Sequence, residues 1–84
     1  MTLFDLEIIS PQGWVYQGKT MQVMAPGKEG DVGILADHMP FLSVLKSGII
    51  RFSLPDQPTD QKITIQGGYL YMEGNLCTIL ATPS

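Results

Sequence analysis

The chain has 84 residues, of which 44% are hydrophobic and 15% are charged, and its formal net charge at pH 7 is −3. This length predicts one domain over residues 1–84, too small to enclose a large active-site cavity. Eight acidic residues against five basic ones disfavour nucleic acid and anionic membranes as direct partners. No apolar run approaches the ~20 residues of a membrane span, and the single Cys77 favours a reducing compartment.

The N-terminal part of the chain predicts two strand regions. Apolar and polar residues alternate over residues 3–10, which is the two-residue period of a half-buried strand. Residues 11–13 (Pro-Gln-Gly) predict a turn, and residues 14–25 predict a second strand region. Within it, Gly18 predicts a bulge or a bend, and Trp14 is expected in the core.

The rest of the chain continues as short strands separated by turn residues. We predict further strands over residues 30–36, 41–45, 49–54, 62–66, 69–73 and 76–81. Gly67 and Gly68 predict a bend, and the loop over residues 54–60 is expected at the surface. Ile49 is expected to face outward. The last strand is apolar on both faces, so we expect it to be covered on both sides.

This pattern predicts the fold class. Long helices are nearly excluded, because no stretch without Gly and Pro exceeds the ten residues 1–10. Short strands with Gly and Pro turns at intervals of about 8–12 residues are typical of all-β domains. We therefore expect a small antiparallel two-sheet β-sandwich, or flattened barrel, of about 8–10 short strands.

The residue types that could support catalysis are few. His38 is the only histidine, and a nucleophilic mechanism would need it beside a serine or cysteine with an orienting carboxylate. Cys77 lies in the middle of a predicted strand and is expected to be buried and inert. We therefore predict no catalytic residue. Beside Met39 and Pro40, His38 is better interpreted as an interface residue, although a small hydrolase that uses it remains an alternative.

Metal and cofactor sites are not expected either. Asp31, Asp37 and His38 form the one plausible ligand cluster, but their spacing matches no zinc or calcium motif. The stretch Gly-Lys-Glu-Gly over residues 27–30 lacks the full phosphate-loop motif. Glu29 would share a face with Asp31 in an extended segment, either as a solvated acidic turn or as a contact patch for a basic partner.

Several linked motifs make the chain similar to a known family. They lie over residues 25–34, 37–42 and 45–51, with further likeness over residues 6–11, 16–18 and 66–68. In this respect the chain resembles the epsilon subunit of rotary F-type ATP synthases. The resemblance implies a β-sandwich at the foot of the central stalk, between the gamma subunit and the c-ring. It also implies a mechanical role, with no chemistry and no cofactor.

The same resemblance implies two sets of contact residues. The loops that face the c-ring in the family correspond to Glu29, Asp31 and His38. The surface that we expect to face the gamma subunit consists of Ser10, Val15, Met39, Pro40, Leu42 and Ile49. The location implied is peripheral, on the cytoplasmic face of a bacterial inner membrane, through the complex and without direct insertion.

The sequence also differs in length from most members of the family that it resembles. Most relatives continue into two C-terminal helices that restrain ATP hydrolysis, whereas this sequence stops at Ser84, so we expect no C-terminal helical domain and no autoinhibition by such helices. The alternative function from the residues alone is a free-standing β-sandwich that binds a small ligand or a peptide. Trp14, Tyr69 and Tyr71 would then form its aromatic platform.

Overall fold

The chain forms eight β-strands, and no helix occurs in residues 2–37, 39–57 and 59–83, which a computed structural model describes. The strand bounds are β1 Phe4–Ser10, β2 Gly13–Thr20, β3 Gln22–Ala25, β4 Val32–Leu35, β5 Phe41–Leu45, β6 Gly48–Phe52, β7 Gln61–Glu73 and β8 Leu76–Pro83. The prediction of an all-β sandwich of short strands is confirmed.

The strands pack as two layers that share the long strand β7. Layer one contains β2, β1, β8, the C-terminal half of β7 and β5, in that order across the sheet. Layer two contains the N-terminal half of β7, then β6, β3 and β4. The two predicted sheets are therefore present, but they are joined by one hydrogen-bonded strand.

One strand pair departs from the predicted antiparallel arrangement. β1 and β8 are parallel, with Leu6 beside Cys77 and Ile8 beside Ile79. The direction of β8 is set by its tight turn with β7, to which it is antiparallel. β8 lies between β7 and β1, and β1 runs in the same direction as β8.

The predicted strands at 62–66 and 69–73 are two halves of the single bent strand β7. Residues 61–65 pair with β6 and residues 68–72 with β5, so the strand passes from one layer to the other. Gln66 is an extra residue opposite β8, between the pairs of Ile65 and Gly67. Gly68 has a φ of +152°, and a Cβ there would overlap the Leu80 carbonyl oxygen, so this corner needs glycine.

The bulge predicted at Gly18 lies instead at Val15. Ile8 pairs with Tyr16 and Ile9 with Trp14, which leaves Val15 as the extra residue of β2, whereas Gly18 pairs regularly with β1. A Cβ at Gly18 would lie 2.7 Å from the Tyr16 hydroxyl oxygen. That glycine therefore gives room to the tyrosine ring and does not break the ladder.

The core lies between the layers. Its fully buried side chains come from both layers and include Phe4, Leu6, Ile8, Val23, Ile34, Ile50, Ile65, Leu70, Met72, Cys77 and Ile79. The rings of Tyr16 in β2 and Phe52 in β6 join the layers at a centroid distance of 4.7 Å. Next to them, the buried Thr20 hydroxyl lies 2.7 Å from the Ser53 carbonyl oxygen. The Ser53 hydroxyl oxygen accepts a hydrogen bond from the Met21 N–H.

Three burial predictions can be compared with this arrangement. Cys77 is buried and Ile49 faces outward, as predicted. Trp14 is 58% exposed, so its predicted place in the core is wrong. The last strand is also not covered on both sides, since Leu80 is 51% exposed. Both errors have one cause: within the described residues no element packs on the outer face of layer one.

Candidate partner-binding surfaces

The acidic loop is the segment of residues 26–31 between β3 and β4, and it lies along the edge of β5. The Lys28 N–H donates to the Val44 carbonyl oxygen at 2.8 Å, and the Lys46 N–H donates to the Pro26 carbonyl oxygen at 2.9 Å. These backbone bonds fix the loop against the strand. Glu29 and Asp31 are both exposed on it, as a contact role requires.

Two clefts border the acidic loop, and Asp31 lines both. The first, of about 490 Å³, brings Glu29 and Asp31 together with Leu42 and Val44 of β5. The second, of about 420 Å³, brings Asp31 together with Ile49 of β6. Carboxylates therefore lie beside exposed apolar side chains on either side of the loop. Such a surface suits a basic partner that also carries apolar groups.

The residues predicted to face the gamma subunit fall into separate groups. Leu42 and Ile49 flank the acidic loop, from layer one and layer two respectively. Ser10 and Val15 lie on the β1–β2 hairpin, at the opposite edge of layer one from β5. Since four strand spacings separate β5 from β2, the distance across the sheet is roughly 19 Å. The structure therefore does not bring these four residues into one patch.

The remaining predicted residues lie in the connection between β4 and β5. Met39 and Pro40 are exposed there, directly before Phe41. His38 lies outside the described residues. Ser10 also has a local structural role, because its hydroxyl donates to the Gly13 carbonyl oxygen at 3.1 Å and accepts from the Gln12 N–H at 3.2 Å. It thereby closes the β1–β2 turn.

The outer face of layer one carries an apolar surface that the sequence analysis missed. Outward residues of five neighbouring strands are paired directly across the sheet and form what we call the apolar row: Val44, Tyr69, Leu80, Ile9 and Trp14. Leu42 and Tyr71 extend it by one pair along β5 and β7. Alternation along each strand shows which residues face outward, but only the strand order shows that they are neighbours.

Acidic side chains border the apolar row along the same face. Glu7 pairs with Thr78, two residues along the strands from the row, and Glu73 pairs with Leu76, four residues along from it. Tyr71 is hydrogen-bonded to Glu73, and this bond together with the negative charge of Glu73 raises the pKa of Tyr71. Farther out, Asp5 is paired with Lys19 at 2.8 Å, with both side chains more than half exposed.

The described part of the chain contains no cluster of three or more potential metal-ligating His, Cys, Asp or Glu side chains. Within the same residues, no helix has the length and apolar character needed to cross a bilayer.

The chain is similar to known proteins in sequence. Residues 3–83 match the family described as ATP synthase, Delta/Epsilon chain, beta-sandwich domain. Curated relatives include the ATP synthase epsilon chains of Nitrosomonas eutropha and Nitratiruptor sp., each 39% identical over 80 residues. These alignments cover 95% of this chain but only 56% and 61% of the two relatives. The chain therefore spans less than two thirds of their length.

Solved structures show the same fold. One chain of the Tetrahymena thermophila mitochondrial ATP synthase, from a structure of its central stalk and c-ring, matches with a TM-score of 0.74 and 17% identity. A chain of the Euglena gracilis mitochondrial ATP synthase, from a structure of OSCP, F1 and the c-ring, matches with a TM-score of 0.82 and 20% identity. Each match covers 93% of this chain, and 62% and 51% of the two solved chains.

Proposed function

The chain belongs to the ATP synthase delta/epsilon family through its beta-sandwich domain, and we propose that it is a non-catalytic central-stalk subunit of a proton- or ion-translocating F-type ATP synthase. In this role it links the gamma subunit to the c-ring for rotary coupling and assembly. The family match over residues 3–83 carries the proposal. The relatives named as epsilon chains support it.

In this proposal the acidic loop contacts the c-ring. Glu29, Asp31 and His38 would meet basic polar loops of the c subunits. An exposed ion pair contributes only about 0–1 kcal/mol, so these charges set orientation and register more than affinity. The fixed position of the loop against β5 favours this role, because a rigid loop loses little conformational entropy on binding.

Contacts with the gamma subunit are proposed for Ser10, Val15, Met39, Pro40, Leu42 and Ile49. Leu42 and Ile49 lie next to the acidic loop, so the contacts with the gamma subunit and with the c-ring would adjoin each other on the surface. The subunit would be peripheral, held at the cytoplasmic face of a bacterial inner membrane through the complex.

The first test is the stoichiometry with the gamma subunit. Light scattering on a size-exclusion column, with the chain alone and mixed with the gamma subunit of the same source, is expected to show a one-to-one complex. Elution of the 9.2 kDa chain as a monomer beside folded gamma subunit would contradict the proposal. It would favour the free-standing ligand-binding module instead.

Charge reversal at Asp31 tests the c-ring contact. Asp31→Lys is expected to weaken binding to the c-ring by about fivefold at low salt, which corresponds to about 1 kcal/mol, and less at high salt. Binding to the gamma subunit should be unchanged. Asp60→Lys is the matched control, because Asp60 is also exposed but lies in the β6–β7 loop. Equal losses with both partners would show that the assignment is wrong.

The effect of these 84 residues by themselves on ATP hydrolysis has its own test. Adding these 84 residues to a matched catalytic complex that lacks its epsilon subunit is expected to leave the ATPase rate unchanged. A several-fold suppression of the rate would overturn this part of the proposal.

A further inference from the structure

We propose that the buried hydroxyl pair, Thr20 with Ser53, positions the acidic loop. The pair fixes the direction in which the hairpin of β3 and β4 leaves layer one, and thereby the place of Glu29 and Asp31 on the surface. That the position of the loop matters for the c-ring rests on the proposed function, whereas the positioning itself does not. Both residues act through the hairpin, without contact with a partner.

The hairpin of β3 and β4 carries the acidic loop and has few ladder pairs with the rest of its sheet. Among the described strands, β4 pairs with β3 alone, and β3 pairs with β6 only at Val23 and Met24. Val23 and Ile34 are buried in the core. Such apolar contacts are non-directional, so they do not by themselves fix how the hairpin is tilted. Directional bonds at the ends of the hairpin are needed for that.

One end of the hairpin is bonded to β5 through the acidic loop, and the other end is bonded to the hydroxyl pair. The Thr20 hydroxyl oxygen lies 2.7 Å from the Ser53 carbonyl oxygen and 2.9 Å from the Gln22 carbonyl oxygen. The Ser53 hydroxyl oxygen accepts from the N–H groups of Met21 at 3.0 Å and Gln22 at 3.3 Å. The bend at Met21, where the chain passes from layer one to layer two, is therefore bonded to the residue after β6.

The core does not need hydroxyl groups at these two positions. Thr20 and Ser53 are the only buried polar residues in the part of the chain that the structure describes. Replacing both partners of a buried hydrogen bond by apolar groups of the same shape is often nearly neutral for stability. A hydrogen bond, however, requires one relative placement of donor and acceptor. The hydroxyl pair therefore fixes a geometry that two apolar side chains would leave free.

β3 connects this fixed bend with the acidic loop. Because β3 has four residues, the loop begins roughly 13 Å from the hydroxyl pair, and a rotation of about 10° at the pair displaces it by roughly 2 Å. Leu35, the last residue of β4, pairs with Gln22 beside the same bend. Both strands of the hairpin therefore meet at the hydroxyl pair, so loss of its bonds allows the hairpin to tilt as a unit.

The test measures the position of the acidic loop in the complete chain. Spin labels are attached at Glu29→Cys in the loop and at Gln17→Cys in β2, which are both exposed positions. Cys77 is buried and does not react with the label under native conditions. Double electron–electron resonance then gives the distance between the loop and layer one. Thr20→Val, which lacks the hydroxyl, is expected to shift or broaden this distance distribution by about 2 Å or more.

Two control variants separate positioning from general stability. Thr20→Ser keeps the hydroxyl and should retain the distance distribution of the unchanged chain. Ile79→Val removes a buried methylene in layer one and should retain it as well, although it lowers the free energy of unfolding. Urea midpoints show that each variant is folded. A distribution that Thr20→Val leaves unchanged, or that Ile79→Val broadens equally, would overturn the inference.

Binding to the purified c-ring tests the consequence for the proposed function. Without labels, Thr20→Val is expected to weaken this binding about threefold, within the range of an exposed ion pair, and Thr20→Ser should restore it. Binding to the gamma subunit should be unchanged, and equal losses with both partners would overturn the inference. No binding of the unchanged chain to the c-ring would remove the c-ring contact from the proposed function, and the label distances alone would then decide whether the hydroxyl pair positions the loop.

Discussion

At the residue scale, burial controls the chemistry of Cys77. Its side chain is fully enclosed, and desolvation raises the pKa of the thiol from 9.0 to about 12. Between these two pH values the unfolded chain releases the thiol proton more readily than the native protein does. The native state then binds more protons, so its free energy of unfolding decreases as the pH rises through this window.

This behaviour gives a pH prediction. Relative to pH 8, the free energy of unfolding should be lower by about 1 kcal/mol at pH 10 through Cys77 alone. Urea unfolding at both pH values would measure it. Cys77→Ala is the control, because it lacks this thiol and keeps every other ionisable group. Parallel pH dependences of the two proteins would contradict the prediction.

At the scale of strands, the bend of β7 allows this one strand to pair within both layers. Gly68 is expected to be irreplaceable there, since an alanine would combine a φ of +152° with overlap on the Leu80 backbone. Gly68→Ala should therefore lower the free energy of unfolding by about 2 kcal/mol or more.

The neighbouring glycine is the matched control for this substitution. A Cβ at Gly67 would lie 3.4 Å from the Leu45 carbonyl oxygen, which is close to ordinary contact. Gly67→Ala should cost less than about 1 kcal/mol, measured by urea unfolding of both variants. Equal losses would mean that the corner tolerates a side chain at Gly68.

The same strands show how far the sequence alone could lead. Alternation and turn residues predicted the fold class, and they predicted β5 at both of its bounds, because these features act locally. Gly18 was misleading, because a glycine within a strand looks the same in the sequence whether it allows a bulge or leaves room for a tyrosine ring. The apolar row was not predictable, because the parallel pairing of β1 with β8 joins residues about 70 positions apart.

The whole molecule should unfold as one cooperative unit. β7 belongs to both layers, and a single hydrophobic cluster lies between them. Ile79→Val, in layer one, removes one buried methylene and should cost about 0.5–1.5 kcal/mol. Hydrogen exchange of the slowest amides is expected to accelerate by about the same factor in β6 and in β8.

The reciprocal substitution completes this test. Ile50→Val lies in layer two and is also fully buried. It should accelerate exchange in β8 as much as in β6. Acceleration confined to the layer that carries the substitution would show that the two layers open independently.

The central position of β8 has a consequence for synthesis of the protein. β1 and β2 leave the ribosome before the other described strands. Among the described residues β1 is joined to the rest of layer one through β8 alone, and β8 is the last of these strands to emerge. The N-terminal hairpin must therefore wait, with its buried face exposed, until β8 has been translated. Such late long-range pairing predicts slow folding and makes the nascent hairpin a natural client for chaperones.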